Sequence, residues 1–160
     1  RSVMNAQEII VFLQNRHQAP DYIGIEEMRL GSGFGASQRR IDFWALSTAP
    51  SKGNEATAYE VKVTRADFLR DIGNPLKQRG ARLYCDQFYF ITPPDLIKPD
   101  EIPDWAGLQE VHEREPQIGS VYLFTKEIVP APHLSKIRPS WPFVVSLLRR
   151  NPSPSLKAVG

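Results

Sequence analysis

Glu60 and Lys62 stand one residue apart in the run Ala58-Tyr59-Glu60-Val61-Lys62-Val63. Aromatic and β-branched residues in alternate positions mark this run as a strand, closed by Thr64. Successive strand side chains point to opposite faces, so Glu60 and Lys62 share one face and Tyr59, Val61 and Val63 the other. An acid beside a base on a mostly apolar strand has two readings. One is a solvated face with a weak ion pair, the ordinary meaning of a Glu-x-Lys tripeptide. The other is a metal-ligating carboxylate next to a catalytic ammonium group. Asp42 bears on that choice. It interrupts the apolar run Ile41-Asp42-Phe43-Trp44-Ala45-Leu46, and a buried aspartate needs a partner or a metal to offset its desolvation. The short connection over 50–54 makes the two strands antiparallel neighbours, so Asp42 and Glu60 can lie across from each other on one face.

The elements that must hold these residues follow from the surrounding pattern. Residues 4–18 read as an opening helix, with Asn5 as cap and Glu8 in capping-box spacing. His17 belongs to the end of that helix rather than to a site. Residues 22–30 read as extended, with Ile23 and Ile25 alternating, and they carry Glu26 and Glu27. The glycine-rich 31–37 stretch is read as a turn, since no Gly-Lys-Ser/Thr follows it. A helix starts at Thr64-Arg65-Ala66-Asp67, where capping is the preferred role for Asp67, and stops near Gly73-Asn74-Pro75. A second basic helical stretch runs over 76–83. Residues 87–91 read as a strand buried on both faces, as a central strand would be. Residues 95–105 read as an acidic, Pro-rich loop, 108–111 and 120–124 as two further strands, and 141–150 as a helix capped by Ser140. The tail over 151–160 is expected to be flexible, which leaves one domain over 4–150. The order of elements predicts an α/β fold, a mixed central sheet flanked by helices. Trp44, Trp105 and Trp141 are expected to be packing residues.

Composition sets the outer limits. Apolar residues make up 41% and charged residues 24% of 160, which is ordinary for a soluble globular chain. No apolar run is long enough to span a membrane, and the first residues carry no signal-peptide pattern. The single cysteine, Cys85, excludes an internal disulfide and fits a reducing, cytoplasmic setting. Charge is segregated. Residues 62–82 hold six Lys or Arg against two acids, net +4, and 95–115 hold two basic against seven acidic side chains, net −5. Residues 126–160 hold six basic and one acidic, net +5. Either one basic face meets a polyanion, or unlike regions pair with each other. Arg39, Arg40, Lys77, Arg79 and Arg82 are the candidates for phosphate contacts, the alternative for the first two being a solvated hairpin end.

Asp42 followed by Glu60-Val61-Lys62 resembles the signature of the PD-(D/E)XK nuclease superfamily, with Ile41 in place of the proline. Arg39-Arg40-Ile41-Asp42, Asp67-Phe68, Asp71, Lys77 and Cys85-Asp86-Gln87-Phe88-Tyr89-Phe90 with Pro93-Pro94 extend the match towards its MmcB-like branch, which is linked to DNA repair and has bacterial and phage relatives. The likeness covers roughly residues 23–111. It implies a restriction-endonuclease-like core and DNA as the partner, in a bacterial or phage-infected cell. It implies Mg²⁺ or Mn²⁺ held by Asp42, Glu60 and the Val61 backbone carbonyl; carboxylates are hard oxygen donors suited to these ions. Lys62 would orient the attacking water or stabilise developing charge. Glu27 would add a carboxylate, with Glu26 as the competing choice. Lys77 and Gln78 resemble auxiliary residues that contact phosphate. Asp86 matches the motif but also suits a structural role at a strand start.

Three functions compete at this stage. One is a metal-dependent nuclease that hydrolyses DNA phosphodiester bonds. Another is a nucleic-acid-binding module of the same fold with weak or lost cleavage. The third is a protein-interaction domain that uses the acidic 95–115 region. A homodimer is left open.

Overall fold

Six strands follow the chain across one sheet in the order β1-β2-β3-β4-β5-β6. They are β1 (Tyr22–Arg29), β2 (Arg40–Ser47), β3 (Ala56–Val61), β4 (Gln87–Thr92), β5 (Gly107–Arg114) and β6 (Tyr122–Val129). The computed structural model describes residues 4–30 and 40–150, so the 31–37 turn, Arg39 and the 151–160 tail lie outside the described residues. β1, β2 and β3 are antiparallel neighbours, as are β5 and β6. β3, β4 and β5 run parallel, which requires crossovers between them. The sheet is therefore mixed, and the chain is α/β as its sequence predicts.

Four α-helices are found among the described residues: α1 (Ala6–Arg16), α2 (Arg65–Ile72), α3 (Arg79–Leu83) and α4 (Trp141–Arg150). Asn5 caps α1 by accepting the Glu8 N–H at 2.9 Å. Thr64 caps α2 by accepting the Asp67 N–H at 3.2 Å. Ser140 accepts the Phe143 N–H at 3.3 Å. These three polar residues satisfy N–H groups that a helix start leaves orphaned. Past Gly73 the helix cannot run on, because Pro75 offers no N–H and disfavours helical geometry before it. The 76–83 stretch is accordingly a turn followed by the five-residue α3.

The two faces of the sheet carry separate cores. Ile25, Ile41, Trp44, Ala58, Phe68, Phe88, Phe90 and Leu108 cluster on the α2 side. Ile9, Leu13, Phe43, Tyr59, Tyr89, Ile91 and Val111 cluster on the α1 side. β4, flanked on both sides and buried over Phe88–Thr92, is the central strand its continuous apolar run predicts.

Three sequence readings shift. The Glu60 strand is displaced to Ala56–Val61, so Lys62 and Val63 follow its end, though the Lys62 N–H still donates to the Ile91 carbonyl at 3.1 Å. The last strand begins at Tyr122 and reaches Val129, because Gly119, at a φ of +105°, places the turn residues up to Ser120. Trp44 is buried and Trp105 packs half-buried against the core, but Trp141 is 80% exposed and is not the packing residue expected.

Candidate active site

Glu60 is the fifth residue of β3, and it points to the α2 side with Ala58 two residues before it. Both side-chain ends of the site are set by where the β2–β3 ladder stops. Pairing runs from Leu46↔Ala56 to Phe43↔Tyr59 and no further. Beyond that point the Asp42 carboxylate replaces the missing backbone partner and accepts the Val61 N–H at 2.8 Å. A side-chain carboxylate bonded to a strand amide is held in one direction, and from there its charge acts on the Glu60 carboxyl.

The opposite wall comes from a break in β1. Ile25 and Met28 belong to one core cluster, as do Ile41 and Trp44. Residues three apart on a regular strand face opposite ways, so alternation fails between them on both strands. Glu27 lies at the break with a φ of +45°, a conformation non-glycine residues rarely adopt. The result sends two consecutive acids the same way. Glu26 takes a hydrogen bond from the Gln14 side chain of α1, and both Glu26 and Glu27 line one cleft with Asp42, Glu60, Val61 and Lys62. Ala6, Gln7 and Ile10 of α1 form another wall, and the volume is about 340 Å³.

Lys62 reaches the Glu60 carboxylate at 3.3 Å and ion-pairs with Asp71 of α2. Lys77 takes the other Asp71 oxygen. Asp71 is 5% exposed, and the sequence marks it only as part of a motif. A signal for it existed: it lies three residues after the buried Phe68 on α2, so helical periodicity puts it on the buried face.

The electrostatics of this cluster are uneven. Burial, and next the Asp42 charge, push the Glu60 carboxyl up to about 8. Burial also raises Asp42, against the Val61 N–H and Lys62, which lower it. Burial works to raise Asp71, but hydrogen bonds from Lys62 and Lys77 outweigh it and hold the carboxyl below its ordinary range. Burial works to lower Lys62, yet Glu60 and Asp71 together hold its ammonium above its ordinary value. One Glu60 oxygen, Oε2, is buried without a hydrogen-bond partner among the described residues. A buried carboxylate oxygen left unpaired is costly, so it must carry a proton or meet a cation.

Asp42 and Glu60 are the residues that could hold such a cation. Among the described residues no group of three or more His, Cys, Asp or Glu side chains is gathered for a metal. Two carboxylates suffice for magnesium, which keeps several waters and takes its remaining ligands from substrate phosphate.

The other candidates are dispersed. Arg40 is 42% exposed at its side chain and lies 3.7 Å from Glu27, at the mouth of the cleft. Lys77 is held by Asp71, and Arg79 is exposed at the start of α3. Gln78 is buried at 5% exposure and is not on an open surface. Arg82 stacks its guanidinium 4.3 Å from the centre of the Trp105 ring and so serves packing. Asp86 is buried in a network with Lys136 and the Ala56 N–H, away from the cleft.

No family model and no curated protein matches the chain. Among solved structures it is similar to the SPO1766 protein of unknown function from Silicibacter pomeroyi, at 21% identity and a TM-score of 0.52 over 90% of this chain and 82% of that one. At that identity the likeness concerns the fold alone. Among the described residues no helix is long and apolar enough to cross a membrane.

Proposed function

We propose that the protein is a metal-dependent nuclease that hydrolyses DNA phosphodiester bonds, built on a restriction-endonuclease-like core. The observation that carries this reading is the convergence in one cleft of Asp42, of Glu60 with its unpartnered Oε2, and of Lys62. A bound Mg²⁺ or Mn²⁺ would polarise the scissile phosphate and lower the pKa of an attacking water. Asp42 and Glu60 would hold that ion, with the Val61 carbonyl beside them. The Val61 N–H fixes the Asp42 carboxylate, so little ordering is left to be done on binding. Lys62 keeps its proton because Glu60 and Asp71 stabilise it, and it offers a fixed positive donor to water or to developing charge. Glu26 and Glu27 both line the cleft, and either serves as the auxiliary carboxylate. Arg40, Lys77 and Arg79 supply the phosphate contacts.

A second reading has its own observation. Lys62 is engaged by two carboxylates at once, which suits a binding module of the same fold that has lost cleavage. The protein-interaction reading has less support. Glu101 is spent on Arg65, and Glu110 accepts the Asp95 N–H at 2.8 Å, so the acidic 95–115 region pairs partly within the molecule.

Incubation with single-stranded, duplex and branched DNA in Mg²⁺ or Mn²⁺ tests the nuclease. Cleavage is expected, abolished by Asp42→Asn and lowered about 10²- to 10³-fold by Lys62→Ala. Binding without cleavage of any substrate would transfer the assignment to the module.

A further inference from the structure

β4 ends at Thr92, opposite Glu110 of β5. Residues 111–114 of β5 and their partners 122–125 of β6 therefore extend past the body of the sheet as a two-stranded ribbon. Because β3, β4 and β5 are parallel, the ribbon projects at the same end of the sheet as Glu60 and Lys62. β6 lies three strands from β3, about 14 Å away at ordinary strand spacing.

The ribbon sorts its side chains by face. The register pairs Glu110 with Lys126, His112 with Phe124 and Arg114 with Tyr122, so these six share one side. Glu113 and Glu127 point to the other. On the first side the His112 ring stacks on Phe124 with centres 5.7 Å apart, and Tyr122 lies 6.2 Å from Phe124. The Arg114 guanidinium sits 5.4 Å from the Phe124 ring centre. Glu110, the one acid on this side, is buried and satisfied by the Asp95 N–H at 2.8 Å and by His112 at 2.9 Å. What remains open is aromatic and cationic: Tyr122 is 45% exposed, and Arg114 and Lys126 are exposed.

Cross-strand aromatic pairs stabilise a ribbon, and that accounts for His112 on Phe124. It does not account for Tyr122 left open beside two cations on a side whose own strand residues expose no carboxylate, the nearest exposed acid being Asp95 next to Glu110. Bases stacked on aromatic rings, with backbone phosphates on Arg and Lys, are how unpaired nucleic acid is held. Base faces are hidden inside an intact duplex. We propose that this side of the β5–β6 ribbon is a stacking platform for single-stranded DNA, and that it leads an unpaired strand to the cleft. The inference deepens the nuclease reading and rests on it for the direction of the strand, but not for binding. Opposing charge comes from Glu115 in the connection between the strands, and exposed Ile118 and Val121 there suit a protein partner better than DNA. The segregation of acids from the Tyr122 side favours the polyanion.

Fluorescence anisotropy in EDTA, with a labelled oligothymidylate and a blunt duplex of equal length, reads binding apart from cleavage. Tyr122→Ala is expected to weaken oligothymidylate binding about 5- to 150-fold, the effect of losing one stacked base, and duplex binding much less. Tyr122→Phe should bind as the wild type does. Arg114→Gln repeats the test should Tyr122→Ala melt early by circular dichroism. Unchanged oligothymidylate affinity in both variants would overturn the platform and give the ribbon to a protein partner. Equal losses on single strand and duplex would overturn it in favour of a general electrostatic footprint. If the ribbon variants bind as expected but no DNA is cut in Mg²⁺ or Mn²⁺, the nuclease reading fails and the platform stands.

Discussion

The protonation of Glu60 decides what the cleft can hold. Its carboxyl is pushed up to about 8, so at neutral pH it carries a proton that a cation must displace. Metal binding of this kind strengthens as pH rises and releases protons. An acid whose folded pKa is raised contributes stability that is complete below its ordinary value of 4.5 and lost as pH rises through about 8. Glu60→Gln, which mimics the protonated form, should therefore melt above the wild type at alkaline pH and equal to it in acid. Mn²⁺ at a hundred times its Kd should raise wild-type stability by about 2.7 kcal/mol. Asp42→Asn keeps an acceptor for the Val61 N–H, so it should fold normally and show none of that gain. Thermal melts with and without Mn²⁺ check both variants, and an undiminished Mn²⁺ shift in Asp42→Asn would remove Asp42 from the site.

Elements are tied together away from the cleft by Asp86, just before β4. Its carboxylate accepts the Ala56 N–H of β3 at 2.9 Å, the Lys136 N–H at 3.1 Å and the Lys136 ammonium at 2.7 Å. Its carbonyl accepts the Leu134 N–H at 2.7 Å. Burial works to raise the carboxyl, but Lys136 and the two N–H groups hold it below its ordinary range. One residue thus fastens β3, β4 and the segment leading to α4. Asp86→Ala leaves two backbone N–H groups without their acceptor and should cost about 3 kcal/mol, read as a lower urea midpoint at unchanged slope. A loss well under 1 kcal/mol would show that packing such as Tyr84 against Phe143, with ring centres 4.2 Å apart, holds that segment without it. The sequence offered motif and structure as alternatives for Asp86, and the network fits the structural one.

At the scale of the whole molecule, two buried titrating groups oppose each other. His17 is enclosed by Tyr22, Phe43 and Tyr59, with Nδ1 at 2.9 Å from the Leu13 carbonyl. Burial lowers its pKa from 6.5. A base so lowered contributes stability that is present above its ordinary pKa and lost as pH falls below it. Stability should thus fall through His17 as pH drops below 6.5 and through Glu60 as pH rises from 4.5 to about 8, so the two oppose each other where the windows overlap. His17→Gln should remove the loss below 6.5 from a melting-temperature profile and leave the fall that ends at about 8. An unchanged acid limb would place its cause in other groups.

Element types and their order were legible in the sequence because each rests on local chemistry. Alternation marked β3, apolar runs marked β2 and β4, Asn5, Thr64 and Ser140 marked helix starts, and Pro75 marked a stop. Asp42, Glu60 and Lys62 were legible because polar groups stand out in apolar strands. What the sequence could not carry is non-local. No residue type announces the break at Glu27, since its φ of +45° falls where the β1–β2 register skips it and no glycine marks the place. Arg82 looked like a surface cation until Trp105, distant in sequence, came under it. The Asp71 link to Lys62 joins a helix to a strand end, and the open Tyr122 side depends on β5 outrunning β4. Each of these is a pairing across the fold, and the energy that decides it resides in neighbours that only the tertiary structure brings together.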